Sequence, residues 1–153
     1  MYAQAVSAGF CTADLEPPSP ARWARFVEVH ADPRFPVWVF EKRDAVIGYA
    51  HLSPWREGRA GLARCAEVTY YVDFRHHGRG IGSALLDRSM AEAGELGYRT
   101  LLAILLAANE PSRRLLDRHG FHEWGRLPGV FRYAGGWHDQ LLMGRSLGAG
   151  PLA

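Results

Sequence analysis

Residues 68–86 predict a strand, a glycine-spaced loop and the start of a helix in immediate succession. Residues 68–72 are a run of β-branched and aromatic side chains, which is typical of a strand. Three glycines follow at alternate positions, namely Gly78, Gly80 and Gly82. From Ile81 onward apolar residues recur at helical spacing, and Gly97 marks a helix end. Backbone N–H groups in such a loop can converge on an anion at the positive end of the helix, so this segment predicts a phosphate site.

Two common phosphate-binding motifs do not fit this loop. A Walker loop carries Lys and then Ser or Thr after its last glycine, whereas Ser83 and Ala84 follow Gly82 here. A dinucleotide fingerprint needs a third glycine five positions after Gly78, where this chain has Ser83. The sequence therefore argues against a nucleotide triphosphatase and against a Rossmann dehydrogenase.

Composition narrows the class of protein further. The chain has 153 residues, of which 48% are hydrophobic and 22% charged, and it shows neither a repeat nor a linker, so we expect one domain over residues 1–153. The formal net charge is +2, without a Lys/Arg run, so no nucleic-acid partner is expected. No apolar stretch suits a membrane, and Cys11 and Cys65 lack the spacing of a metal or redox site. A cytoplasmic protein without a bound metal is the expectation.

Further elements are predicted on either side of the loop. Residues 37–42 and 45–52 alternate as a hairpin that turns at Arg43 and Asp44, and Ser19-Pro20 opens a helix. The unbroken apolar run 100–107 predicts a strand buried on both faces.

Two motifs resemble those of the GCN5-related N-acetyltransferase (GNAT) superfamily. The loop from His77 to Gly82 is similar to that family's acetyl-CoA loop, with His77 standing where Gln or Arg is usual. The stretch from Asn109 through Ser112 to Gly120-Phe121 resembles the family's Asn-x-x-Ser helix. The resemblance implies an α/β (α+β) fold, in which helices flank a mixed central sheet whose parallel strands splay apart, with coenzyme A in the gap.

The resemblance implies which residues bind acetyl-CoA. These are Tyr71, Val72, His77, Gly78, Arg79, Gly80, Ile81, Gly82, Ser83, Asn109 and Ser112. For Asn109 a second role stays open, because a helix cap ahead of Pro111 accounts for it without a ligand.

Finer matches resemble the phosphinothricin and methionine sulfoximine N-acetyltransferases. They lie in residues 48–55, 66–72 and 136–139, and the likeness spans residues 11–147. Family analogy implies a homodimer. Members usually begin with a strand and a helix, whereas Met1 to Val6 resembles the end of that helix. The first strand and most of the first helix are therefore expected to be absent.

Glu67 is the predicted base that takes the proton from the acceptor amine. Period-two geometry places it on one strand face with Cys65, Thr69 and Tyr71, where partial burial would raise its pKa. A solvated or salt-bridged glutamate is the alternative. A backbone N–H near Tyr71 or Val72, freed by a predicted bulge, would polarise the thioester carbonyl.

The proton donor to the leaving thiolate is unassigned. The family places Tyr, or in this subfamily His, at the position that Leu116 occupies, and a leucine cannot donate a proton. His119, Tyr133 or water are the alternatives.

Acceptor recognition is predicted at Trp55, Arg56 and Arg64, with Arg59 in the same loop. Guanidinium groups suit the carboxylate or phosphinate of an amino-acid-like acceptor. The segment 63–66 lacks the subfamily's usual aromatic cluster, which favours methionine sulfoximine or sulfone over phosphinothricin itself. Two other functions stay open: acetylation of a protein N-terminus or a polyamine, and a non-catalytic module that binds or senses coenzyme A.

Overall fold

The computed structural model describes residues 1–148 and contains four α-helices and six strands in that part of the chain. The helices are α1 (Tyr2–Ala8), α2 (Pro20–His30), α3 (Ile81–Glu95) and α4 (Glu110–Arg118). The strands are β1 (Val37–Lys42), β2 (Ala45–Pro54), β3 (Cys65–Val72), β4 (Thr100–Leu106), β5 (His122–Tyr133) and β6 (Gly136–Ser146). Short 3₁₀ helices at Ala60–Leu62 and Phe74–His76 precede and follow β3.

The strands form one mixed sheet in the order β1-β2-β3-β4-β6-β5. Only the central pair β3 and β4 is parallel, because α3 forms the crossover between them, and the other neighbours are antiparallel. This architecture confirms the predicted class of a mixed sheet flanked by helices.

The main core lies between α3, α4 and one face of the sheet. Ala66 and Val68 of β3 are buried on that face, whereas the other residues of the strand are only partly buried. Leu86, Leu101 and Phe121 are among the fully buried side chains of the core. On the opposite face, aromatic contacts from Tyr2 of α1 and Phe26 of α2 cover Tyr71 and His51. The two amino-terminal helices therefore contact this face of the sheet through aromatic side chains.

Local predictions about turns and caps are confirmed. Arg43 and Asp44 both have positive φ, as the two-residue turn of a tight hairpin requires. Ser19 caps α2, since its Oγ accepts a hydrogen bond from the Arg22 N–H at 3.3 Å.

The first strand among residues 1–148 is β1, which follows two helices and lies at an edge of the sheet.

None of the helices in residues 1–148 combines the length and the apolar composition needed to cross a bilayer.

Candidate active site

The central parallel strands part from one another to form a fork. β3 and β4 pair at three positions, Cys65 with Thr100, Ala66 with Leu101 and Glu67 with Leu102. Beyond Glu67 the two strands diverge, and a cavity of about 380 Å³ opens between them, which we call the fork cavity. Its walls are residues 68–72 of β3, residues 103–105 of β4, the glycine loop and the start of α4.

The fork leaves backbone donors of β3 without a strand partner. The Asp73 N–H donates to the Ile47 carbonyl at 2.9 Å. Because hydrogen-bonded pairs alternate in an antiparallel ladder, the N–H groups of Tyr70 and Val72 point away from β2, toward the fork cavity. The predicted bulge at this place is wrong, since β2 and β3 keep one register from Gly48 with Val72 to Pro54 with Ala66. Divergence from β4, rather than an inserted residue, frees these donors.

The glycine loop places the N-terminus of α3 at the same cavity. Gly78 and Gly80 have φ of 72° and 79°, and a Cβ at either would meet no atom within 4 Å, so backbone conformation rather than crowding favours glycine there. Gly80 is the N-cap and offers no side-chain cap. The first backbone bond within the helix runs from Ala84 N–H to Gly80 O, at 3.0 Å. The preceding N–H groups are therefore available to an anion at the positive end of the helix dipole.

Side chains in and next to the glycine loop form hydrogen bonds that hold the loop close to the end of β3. His77 Nε2 donates to the Val72 carbonyl at 3.0 Å. Asp73 accepts hydrogen bonds from the Arg75 backbone and guanidinium at 2.9 and 2.8 Å, and this partner holds the pKa of Asp73 well below its ordinary value. Arg75 is therefore committed to Asp73.

The structure gathers most of the predicted coenzyme-binding residues around the fork cavity. Those that line it are Tyr71, Val72, His77, Gly78, Gly80, Ile81, Gly82, Ser83, Asn109 and Ser112. Arg79 is exposed and lies outside the lining. Asn109 also caps α4, because its Oδ1 accepts from the Ser112 N–H at 3.3 Å, so the cap role is present whether or not a ligand binds. Cys11 and Ala5 reach the cavity from the amino-terminal segment, and no sequence pattern signalled their position.

Glu67 stands at the point where the fork opens. Two residues before it, Cys65 lines a second cavity, and two residues after it, Thr69 lines the fork cavity. Within residues 1–148 the Glu67 carboxylate has neither a hydrogen bond nor a salt bridge, so the salt-bridged alternative is not observed. Burial raises its pKa above the ordinary value, because a desolvated carboxylate is costly to ionise.

The second cavity, of about 450 Å³, lies between α2 and the β2–β3 loop, and we call it the loop cavity. Trp55 and Arg56 line it together with Arg59, and the Arg56 guanidinium lies 5.5 Å from the centre of the Trp55 ring. Arg64 is exposed and does not line it; its backbone carbonyl accepts from Arg99 N–H at 2.9 Å. The structure thus brings together two of the three predicted acceptor residues.

Leu116, at the family's acid position, and the two side chains considered as alternative proton donors have other roles. Leu116 is 1% exposed and belongs to the core. His119 Nδ1 donates to the Leu115 carbonyl at 2.8 Å, and its Nε2 lies 3.4 Å from Asp87. The Tyr133 ring packs so closely over Gly9 that a Cβ there would overlap it. His119 and Tyr133 both lie outside the lining of the fork cavity.

Two contacts near the site escaped the sequence analysis because they join distant segments. His30 Nε2 lies 3.1 Å from His51 Nδ1, and burial is the main cause that lowers the pKa of His51 to about 4. Tyr70 Oη lies 2.5 Å from Ser112 Oγ, across the fork from β3 to α4. No cluster of three or more potential metal ligands occurs among the described residues.

Comparisons with known proteins agree with this geometry. The model of the acetyltransferase (GNAT) family matches residues 5–121. The Bacillus subtilis (strain 168) protein YwnH is 33% identical over 147 residues, which are 96% of this chain and 90% of that protein.

A curated relative and a solved structure carry more specific names. The L-methionine sulfoximine/L-methionine sulfone acetyltransferase of Salmonella typhimurium is 34% identical over 71% of this chain and 63% of its own length. The crystal structure of a GNAT superfamily phosphinothricin acetyltransferase from Sinorhizobium meliloti, in complex with acetyl-CoA, superposes with a TM-score of 0.88 at 33% identity, covering 97% of this chain and 80% of that one. The forked sheet, the glycine loop at a helix N-terminus and these matches together show that the chain belongs to the GNAT family of acetyltransferases.

Proposed function

We propose that this acetyltransferase moves the acetyl group of acetyl-CoA to the α-amine of a small amino-acid-like acceptor. The acceptor class is that of methionine sulfoximine, methionine sulfone or phosphinothricin. The observation that carries the proposal is the place of Glu67, which forms the last β3–β4 pair. Glu67 itself lines neither cavity, but Cys65 before it lines the loop cavity and Thr69 after it lines the fork cavity.

The fork cavity fits acetyl-CoA on the chemistry of its walls. Uncapped N–H groups at the start of α3 suit the pyrophosphate, and the N–H groups of Tyr70 and Val72 suit the amide and carbonyl oxygens of the pantetheine arm and thioester. Acetyl-CoA supplies an activated acyl group. The protein's contribution is to hold it in the fork and to polarise it with backbone donors that are already in place.

Glu67 is the proposed base for direct attack by the amine. An amine attacks only after it has lost its ammonium proton, and a carboxylate of raised pKa is better matched to that task near neutral pH than an ordinary one. Because no described residue holds the carboxylate, it is available to the amine or to a bridging water. An ionised Glu67 also attracts an ammonium group into the site.

The loop cavity is the proposed acceptor site. Arg25 pairs with Glu28 and Glu57 at 2.9 and 2.6 Å, which ties α2 to the loop. Arg56 and Arg59 form no salt bridge within the described residues, so their guanidinium groups are available to the carboxylate of an acceptor.

Thiol release from acetyl-CoA tests the proposal. Release is measured with methionine sulfoximine, methionine sulfone, phosphinothricin, ordinary amino acids, a polyamine and a peptide with a free N-terminus. Release that depends on an amino-acid-like amine is expected. A preference for the polyamine or the peptide would refute the proposed acceptor class while leaving the acetyltransferase intact.

A non-catalytic coenzyme A module is the second candidate, favoured by the apolar Leu116 at the place where the family has its acid. It predicts coenzyme binding by calorimetry with no amine-dependent thiol release from any member of the panel. That result in a folded protein would replace the first proposal.

We also propose a homodimer, supported by apolar side chains that the β5–β6 hairpin exposes. Trp124, Val130 and Trp137 are 50%, 53% and 67% exposed. Light scattering coupled to gel filtration is expected to give twice the 17.0 kDa chain mass, and a mass of one chain would refute this assembly.

A further inference from the structure

When the acetyl group is transferred, the coenzyme A sulfur departs as a thiolate, and the apolar side chain of Leu116 cannot stabilise its negative charge. The fork cavity nevertheless holds a hydroxyl pair next to Leu116. Tyr70 extends from β3 and Ser112 from α4, so their hydrogen bond joins the two sides of the cleft beyond the last β3–β4 pair. Ser112 lies one helical turn before Leu116, on the same side of α4.

Two other polar side chains of the cavity, Tyr71 and His77, are less suitable for this role. Tyr71 lies on the opposite face of β3, where its ring contacts Tyr2 and Tyr49 at 4.9 and 5.6 Å between ring centres. His77 is committed to the Val72 carbonyl at the phosphate end of the cavity. Tyr70 and Ser112 are directed at each other, and either hydroxyl oxygen can accept while the other donates. When Tyr70 donates, the Ser112 hydroxyl hydrogen is spare; when Ser112 donates, the Tyr70 hydroxyl hydrogen has only a long contact to the Ser112 carbonyl, at 3.5 Å.

We propose that the Tyr70–Ser112 hydroxyl pair donates a hydrogen bond to the departing coenzyme A thiolate. The pair thus stabilises the leaving group in place of the Tyr or His that the family has at the position of Leu116. The inference rests on the proposed function. As the new C–N bond forms, the C–S bond breaks and its electron pair stays on sulfur. The amine proton passes to Glu67 and from there to solvent, which also returns a proton to the released thiolate.

The surroundings of Tyr70 suit a donor that keeps its own proton. Burial raises the pKa of Tyr70 to about 12, so its hydroxyl stays protonated through the neutral range. A thiol has a pKa of about 8.5, so complete proton transfer from this tyrosine to a thiolate is unfavourable. Stabilisation of the thiolate by a hydrogen bond in a desolvated cleft needs no such transfer.

Tyr70→Phe tests the inference because it removes only the hydroxyl. Tyr98→Phe is the matched control, because it also removes a tyrosine hydroxyl that forms a hydrogen bond within the protein. The Tyr98 hydroxyl donates to the Arg34 carbonyl at 2.8 Å, and Tyr98 lies outside the fork cavity. With acetyl-CoA, kcat is expected to fall about 10²-fold in Tyr70→Phe and to change less than about threefold in the control. With acetyl-seleno-CoA, whose selenol leaves more readily, the loss in Tyr70→Phe is expected to shrink to less than about tenfold.

A binding measurement gives a readout that is independent of turnover. The thiol of bound coenzyme A is titrated by its thiolate absorbance, and its pKa is expected to be lower in the wild type and in Tyr98→Phe than in Tyr70→Phe. Equal thiol pKa values, an unchanged kcat, or the same loss with the sulfur and selenium donors would overturn the inference. A wild type that transfers acetyl to no amine would refute the proposed function, and this inference with it; an active wild type with an unimpaired Tyr70→Phe would refute the inference alone.

Discussion

Replacing Glu67 by glutamine tests the chemistry at the fork with little disturbance of the fold. The two side chains have nearly the same shape, and the Glu67 carboxylate has no hydrogen bond or salt bridge among the described residues that the substitution would break. A change in rate can therefore be assigned to the lost carboxylate. Burial raises the pKa of Glu67, so its charged form destabilises the folded state relative to the neutral amide.

Both the rate and the stability effects can be stated with their sign. A positioned base contributes about 10²- to 10⁴-fold, which corresponds to about 2.7 to 5.4 kcal/mol of barrier. For stability, the folded pKa lies above the unfolded value of about 4.3. Glu67 therefore lowers the free energy of unfolding progressively as pH rises from about 4.3 through its folded pKa, and has no such effect below that range. Glu67→Gln is expected to be at least as stable as the wild type at pH 7 and equal to it at pH 4.

Steady-state thiol release from pH 5 to pH 9 and thermal unfolding at pH 4 and pH 7 measure these effects. The acid limb of the wild-type kcat/KM profile that reports Glu67 ionisation is expected to be missing in Glu67→Gln, with acetyl-CoA affinity unchanged by calorimetry. Turnover within threefold of the wild type, with the acid limb retained, would remove Glu67 from the mechanism. A clearly lower melting temperature at pH 7 would show that the carboxylate has a structural partner.

Three further substitutions test the glycine loop, the core and the proposed acceptor site. Gly80→Ala puts a side chain on a residue with a φ of 79°, at a cost of about 1 to 2 kcal/mol, and places a methyl group before the helix N-terminus. The KM for acetyl-CoA should therefore rise about tenfold. Gly94→Ala, in open space within α3, is the control, and equal KM values for the two variants would contradict the loop's role. Leu116→Ala should destabilise by about 3 kcal/mol, because the side chain is 1% exposed, and a melting temperature that fell by less than about 6 °C would contradict its place in the core. Arg56→Ala should raise the KM for the acceptor about tenfold and leave that for acetyl-CoA within twofold, and the reverse pattern would move the acceptor out of the loop cavity.

Much of the fold was predictable because local physics and the global fold agree here. The strand before the glycine loop, the helix after it and the Arg43-Asp44 hairpin follow from periodicity and turn chemistry that act over a few residues. The apolar run at 100–107 was identified in the same way, since a strand covered on both faces needs no polar side. The bulge in β3 was the error, because a freed donor can come either from an inserted residue or from divergence of the neighbouring strand, and the sequence of β3 alone does not distinguish them.

By itself the sequence determined the glycine loop at a helix start, the order of the elements and the position of Glu67 on the strand that leads into the loop, because each depends on residues close together in the chain. The tertiary structure decided which partners meet. It placed the end of the β3–β4 pairing at Glu67, joined Tyr70 to Ser112 across 42 residues, and left Arg64 outside the loop cavity that Arg56 lines. These outcomes depend on how far two strands stay paired and on which way a side chain turns, and packing of distant segments sets both.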